Sequence, residues 1–220
     1  MRECPGPPGR PSLVPRRSVS LVLVALFACR ADPPAAPAAP AAPALAPASG
    51  TRTPLRPRED VPGVPNFAQV SAALYRGAQP TAEGMRALQA MGVKTIVNLR
   101  LLHSDRDRLE GTGLQYLHIH AAAWHPEDED VARVLRVIRD PANQPVFVHC
   151  QHGADRTGTM VAAYRIVEQG WTSEEAAAEL PNFGYHPIWT EILDYLAHFD
   201  RAAMQAAVTA LPPPTLEVVR

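Results

Sequence analysis

The chain has 220 residues with 21 basic against 22 acidic side chains, enough for one ordinary domain plus extensions. Nothing in so nearly balanced a charge suggests a nucleic-acid-binding domain, which would normally show a basic stripe or a strong basic excess. The 24 prolines crowd before Pro65 and at Pro212–Pro214, so globular composition belongs to the middle of the chain.

The elements follow in chain order. Arg16 and Arg17 precede "SVSLVLVALFA", an apolar run of about eleven residues, short of the roughly 20 that span a bilayer. It fits the apolar core of a secretory signal peptide over residues 1–29. The run stops at Cys29, and "LFAC" resembles a bacterial lipoprotein cleavage box. That resemblance implies a lipid on Cys29, a membrane tether, and an exported domain in the periplasm or cell envelope. Residues 30–60 follow, Ala/Pro-rich. Their prolines block a helix, and the segment is expected to be an extended, semi-rigid linker. Of the three cysteines, Cys4, Cys29 and Cys150, only Cys150 would remain as a free thiol after cleavage. A disulfide framework is thereby excluded, and a lone thiol in an exported domain is a candidate reactive group.

The folded domain is expected over residues 61–201. It opens with a strand fragment, Ala73–Arg76, and a turn around Pro80. Met85, Leu88 and Met91 mark a short helix that Gly92 stops. The β-branched run Val93–Leu99 reads as a strand. The stretch "RLLHSDRDRLEGTG" reads as irregular, and Leu114–His120 as the next strand. Val131, Val134, Leu135 and Ile138 recur at helical spacing, which predicts a helix over Glu127–Arg139. Its acidic first turn, Glu127 to Asp130, suits the helix dipole. "PVFVH" is an apolar run of the kind buried in a parallel sheet. A helix over Thr157–Gln169 turns Met160, Val161, Tyr164 and Val167 inward and ends at Gly170. Thr172 and Glu175 form a capping-box pattern for a further helix that Pro181 ends. Pro187 opens a last helix with Ile188, Ile192, Leu196 and Phe199 on one face. Residues 202–220 are read as a loose C-terminal tail, with an extension of the last helix as the alternative for its first part. Strands alternating with helices predict an α/β fold of three layers, a mainly parallel sheet flanked by helices. Ligands of such sheets bind at the carboxyl ends of strands, where Cys150 lies.

The loop "CQHGADR" between strand and helix has the makings of an anion site. Gly153 gives it conformational freedom. Successive backbone N–H groups can turn inward as a cradle, and the following helix adds its unpaired N–H groups. Arg156 can grip an oxyanion with two parallel hydrogen bonds. The same positive surroundings favour the thiolate of Cys150. A phosphate held there would present its phosphorus to sulfur for in-line attack.

On these residues the chain resembles the cysteine-dependent protein tyrosine and dual-specificity phosphatases. His149, Cys150, Gly153, Arg156, Thr157 and Gly158 match that family's loop signature. "LYRGAQP", "TIVNLR", "YLHIH" and "QGW" fall in the order of its compact bacterial dual-specificity-like branch. The resemblance implies Cys150 as nucleophile and Arg156 as phosphoryl ligand. Backbone N–H groups of Gln151, His152, Gly153, Ala154, Asp155 and Arg156 would complete the cradle. Thr157 would hydrogen-bond the sulfur, and His149 would orient the loop. It also implies a general-acid aspartate on a loop upstream of the cysteine, where this chain has Ala122, Ala123 and Trp124. Asp155, inside the loop as in myotubularin-like phosphatases, and Asp128, in the following helix, remain the two candidates, with His125 behind them. The expected partner is a phosphorylated protein or small phosphate ester, met by a monomer without a cofactor. His118, His120 and His152 could in principle hold zinc, but nothing in their spacing fixes such a site and no metal is expected. The competing readings are a phosphate-binding pseudophosphatase module and a rhodanese-like sulfurtransferase. Trp171 and Trp189 are expected to pin the last helices, and Tyr185 or His186 to reach the mouth of the pocket.

Overall fold

The computed structural model describes residues 52–219. The signal segment, Cys29 and residues 30–51 of the Ala/Pro linker lie outside the described residues. The elements are β1 (Ala68–Gln69), β2 (Leu74–Gly77), α1 (Ala82–Ala90), β3 (Thr95–Asn98), α2 (Arg106–Leu109), β4 (Gln115–His118), α3 (Asp128–Arg139), β5 (Val146–His149), α4 (Asp155–Gln169), α5 (Ser173–Ala177), α6 (Thr190–Ala197), α7 (Arg201–Ala210) and β6 (Glu217–Val218).

Among the described residues, the strands form one sheet in the order β1-β2-β5-β3-β4-β6. The central four run parallel, and the two edge strands pair antiparallel. Alternation along the strands sorts side chains to the two faces. In β5, Val146 and Val148 join Val97, Leu135, Val161 and Val208 on the face covered by α3, α4 and α7. Phe147 and Ile96 point the other way, into a core with Met85, Leu88 and Leu109 from α1 and α2. The outer side of α4, Ala162 and Ile166, packs against Ala176, Leu180, Ile192 and Leu196. The three-layer, mainly parallel architecture expected from the sequence is therefore present. The capping box is present too: Thr172 Oγ1 accepts from Glu175 N, and the Glu175 carboxylate accepts from Thr172 N.

Four expectations are corrected. The residues before 61 do not all belong to a spacer. Arg52 donates to the Gly170 carbonyl and pairs with Glu175, Leu55 N donates to Glu179, and Asn182 donates to the Leu55 carbonyl. The stretch after Arg100 is not wholly irregular, because α2 seats the fully buried Leu109. The helix expected to open at Pro187 starts at Thr190, which leaves Ile188 outside its apolar face and 75% exposed. The tail beyond Arg201 is not loose. Asp200 caps α7 through the Ala203 N–H, Met204 and Val208 are buried against α3 and α4, and β6 pairs with β4 beside the Arg106–Glu217 ion pair at 2.7 Å.

If α7 is part of the core, Met204→Ala should lower stability by about 2–4 kcal/mol, as for other buried methionine truncations, read from the urea midpoint. A loose tail would leave the midpoint where it is.

Candidate active site

All four parallel strands deliver their carboxyl ends to one rim. There β5 gives way to Cys150, and after Ala154 the chain enters α4 at Asp155. The connecting loop is held from outside by its carbonyls. Gln79 N donates to the Gln151 carbonyl at 3.2 Å. Asn66 Nδ2 donates to the His152 carbonyl at 2.9 Å, and the Arg76 guanidinium to the Gly153 carbonyl at 2.7 Å. In a planar trans peptide the next residue's N–H points opposite to the carbonyl. Turning three successive carbonyls outward therefore turns the N–H groups of His152, Gly153 and Ala154 inward, as an anion cradle requires. Gly153 sits at φ +71°, and a Cβ there would lie 2.5 Å from the Gly77 carbonyl carbon. Only glycine fits a left-handed position against another backbone.

Arg76 is itself buried, with its guanidinium 3.6 Å from the centre of the Phe183 ring. Glu179 lies 3.9 Å from it and is shared with Arg165 at 2.9 Å. Burial pulls the Arg76 pKa down to about 10, against the opposing pull of Glu179, so it remains a cation at neutral pH.

Beside the loop, His149 is fully buried. Its Nδ1 lies 3.1 Å from the Cys150 carbonyl and its Nε2 lies 3.0 Å from Asp105 Oδ2. Asp105 Oδ1 also accepts from Gln79 Nε2 at 2.6 Å. Burial would raise the Asp105 pKa, but His149, Gln79 and Arg108 together outweigh it and hold the carboxyl below its ordinary value. Gln79 thus ties the Asp105–His149 pair to the loop. Arg100 approaches from the end of β3, donating to Gln79 and to Gln151 Oε1.

Cys150 is 2% exposed. Arg156 Nη1 donates to the carbonyls of Leu99 (3.1 Å) and Ala121 (3.4 Å). These bonds brace the guanidinium across the ends of β3 and β4. Among the described residues, Arg156 Nε and Thr157 Oγ1 are buried polar atoms with no hydrogen-bond partner. Such atoms are costly unless an oxyanion or a thiolate completes them. Arg156 lines a hollow of about 250 Å³ with Ala123, His152, Asp155, His186, Ile188 and Trp189.

The structure thus brings together Cys150, Gln151 to Arg156, Thr157 and His149. It separates the two acid candidates. Asp155 lies in the first turn of α4 and lines the Arg156 hollow. Asp128 accepts from the Tyr195 hydroxyl and lines a different hollow with Asp194, His198 and Met204. His125 is exposed, 3.6 Å from Glu127. His186 reaches the pocket mouth, where Trp189 also lies, while Trp171 stacks on Arg165. His118 and His120 bond the Arg100 and Leu101 carbonyls with their rings 4.1 Å apart, whereas His152 faces His186. Among the described residues no cluster of metal-ligating side chains forms. Arg76, Gln79, Asp105 and Asn66 were given no role by the sequence. Arg76 and Gln79 do fall within "LYRGAQP", so the order of motifs carried a signal for them.

A family model described as "DSP-PTPase phosphatase fused to NAD+ Kinase" matches residues 62–184. The dual specificity protein phosphatase TpbA of Pseudomonas aeruginosa is 35% identical over 141 residues, which is 64% of this chain and 64% of TpbA. The chain therefore spans just under two thirds of that relative's length. The crystal structure of TpbA resembles this one with a TM-score of 0.59 at 33% identity, over 67% of this chain and 92% of that one. A cysteine-to-serine TpbA variant in complex with phosphotyrosine matches with a TM-score of 0.59 at 30% identity, over 69% of this chain and 99% of that one. The core catalytic domain of a PP-IP phosphatase from Saccharomyces cerevisiae shares the fold, with a TM-score of 0.59 at 20% identity over 71% of this chain and 94% of that one.

Two outcomes follow from the loop's supports. Gly153→Ala forces about 1–3 kcal/mol of backbone strain, so inorganic phosphate should bind roughly tenfold or more weakly by calorimetry. The folded-state pKa of Asp105 lies below its unfolded value. Its contribution is fully present above the unfolded value and is lost as pH falls through the folded one, from about pH 5 downward. Asp105→Asn should therefore flatten the acid limb of the urea-midpoint-against-pH curve.

Proposed function

The chain belongs to the DSP-PTPase phosphatase family, and we propose that it hydrolyses phosphate monoesters through a cysteinyl-phosphate on Cys150. The observation that carries this is the loop whose carbonyls are tied outward around a buried thiol, with Arg156 Nε and Thr157 Oγ1 left without partners. A phosphoryl group in the cradle accepts from the N–H groups of Gln151 to Arg156 and from the Arg156 guanidinium. The Cys150 thiolate attacks phosphorus, the P–S bond forms as the P–O bond to the leaving group breaks, and the leaving oxygen takes up a proton. Water then attacks phosphorus, the P–S bond breaks, and Thr157 supports the returning thiolate with its hydroxyl. His149, anchored by Asp105, holds the Cys150 carbonyl and so the start of the loop.

Phosphotyrosine, and phosphoproteins of the dual-specificity kind, are the proposed substrates, supported by the phosphotyrosine complex of TpbA. The pseudophosphatase reading rests on Ala122, Ala123 and Trp124, which leave no carboxylate where the family's acid is expected. We further propose that the chain acts as an exported monomer tethered by lipid on Cys29, supported by Arg16, Arg17 and the apolar run before Cys29. Metabolic labelling with a fatty-acid analogue tests the tether: Cys29→Ala should abolish the label.

The activity is tested by phosphate release from an aryl phosphate. Wild type should turn over, and Cys150→Ser should fall to background. Equal release by both would remove Cys150 as nucleophile. No release by either, with phosphate still bound, would leave the binding module.

A further inference from the structure

We propose that His186, held by Asp155, is the group that protonates the leaving oxygen, in place of an aspartate on the upstream loop. This rests on the phosphatase reading and completes it.

The placement comes from two hydrogen bonds across 31 residues of sequence. Asp155 Oδ1 accepts from the backbone N–H of His186 at 2.9 Å, and Asp155 Oδ2 lies 2.8 Å from His186 Nδ1. Asp155 is 7% exposed and fixed in the first turn of α4, one residue before Arg156. Gripping both the main chain and the ring, it sets the imidazole's position relative to the phosphoryl ligand. A carboxylate only accepts, so the shared hydrogen belongs to Nδ1, and Nε2 is the ring nitrogen that Asp155 does not engage. The ring is half exposed and lines the same hollow as Arg156.

The other groups at the rim do not meet these conditions: His125, Glu127 and Asp130 border Arg156 in a separate hollow of only about 10 Å³, too small for a leaving group. Both Asp155 oxygens are engaged as acceptors from His186, so Asp155 offers the hollow no donor. Asp128 lines a different hollow, where it accepts from Tyr195. Ala123, the upstream loop's contribution to this hollow, has no proton to give. His152 lines it too, its ring 5.9 Å from that of His186, but the Asp155 bonds go to His186. Asp155 is thus a positioning residue, and His186 the group that meets the leaving oxygen.

The balance closes in both steps. As Cys150 sulfur bonds phosphorus, the electron pair of the breaking P–O bond goes to the leaving oxygen. That oxygen takes the Nε2 proton, and the imidazolium becomes neutral. In the second step Nε2 accepts a proton from the attacking water while the P–S electron pair returns to sulfur as thiolate.

The test compares p-nitrophenyl phosphate, a good leaving group, with phenyl phosphate, a poor one, in the full chain. His186→Ala should lose about 10²–10⁴-fold in kcat on phenyl phosphate, the usual share of general acid catalysis, and far less on p-nitrophenyl phosphate. Added imidazole should recover part of the loss on phenyl phosphate. Asp155→Asn should show the same leaving-group dependence to a smaller extent, in kcat rather than KM. The urea midpoint and near-ultraviolet circular dichroism of each variant report whether the fold is intact, and His186→Gln replaces His186→Ala if that variant misfolds. Equal losses on both substrates, or no loss, overturn the proposal. Full dependence in Asp155→Asn with none in His186→Ala would assign the proton to Asp155 instead. Failure of the phosphatase reading itself looks different: wild type would then release no phosphate from either ester above the Cys150→Ser background.

Discussion

The site depends on three carbonyls that face the wrong way for a helix start. Gln151, His152 and Gly153 each give their carbonyl oxygen to a donor outside the loop, so the peptide N–H groups have to face the cavity. Everything chemical follows from that inversion. Without it the loop would be one more strand-to-helix connection. With it, the end of β5 becomes a preorganised receptor for negative charge above a thiol, and reorientation need not be paid for when substrate arrives.

The donors come from one segment, Asn66 to Gln79, far in sequence from the loop they hold, and Arg76 among them is buried. Arg76 crosses from β2 under the loop with its guanidinium over the Phe183 ring, and it shares Glu179 with Arg165. A buried cation is tolerable when paired and hydrogen-bonded, and here two arginines share one carboxylate. The cluster therefore carries positive charge beneath the proposed phosphate site. His149 and Asp105 form a second buried pair, and Gln79 joins it to the loop by donating its backbone N–H to Gln151 and its side-chain amide to Asp105. Arg156 is braced by the Leu99 and Ala121 carbonyls through one end, which leaves Nε for the ligand. The loop is thus the meeting point of all four parallel strands.

The sequence made some of this legible. The apolar run before His149, the helical repeat from Val131 to Ile138 and the Thr172–Glu175 cap all report strong local patterns, and each became the element it suggested. Local pattern was silent where pairing created the element. Glu217 and Val218 are exposed, and they are a strand only because β4 offers an open edge. The α7 helix shows just Met204 and Val208 as its buried face, too sparse a repeat to stand out from an Ala-rich tail. The site divides the same way. Cys150, Arg156 and Gly153 stand within one heptapeptide and were readable together. Arg76 could not be read as a buried cation, since an arginine in a four-residue strand is ordinarily a solvated one. The bond between Asp155 and His186 joins the first turn of α4 to the segment before α6, whose approach is decided by the packing of α4 against Leu180, Ile192 and Leu196.

The account stands most directly on the identity of the atom that receives the phosphoryl group. Rapid acid quench of wild type during turnover of an aryl phosphate, followed by peptide mass mapping, measures it. A phosphoryl adduct on the Cys150 peptide, absent in Cys150→Ser, is the predicted result. Turnover with the adduct on another residue, or with no adduct under conditions where it should accumulate, would contradict it.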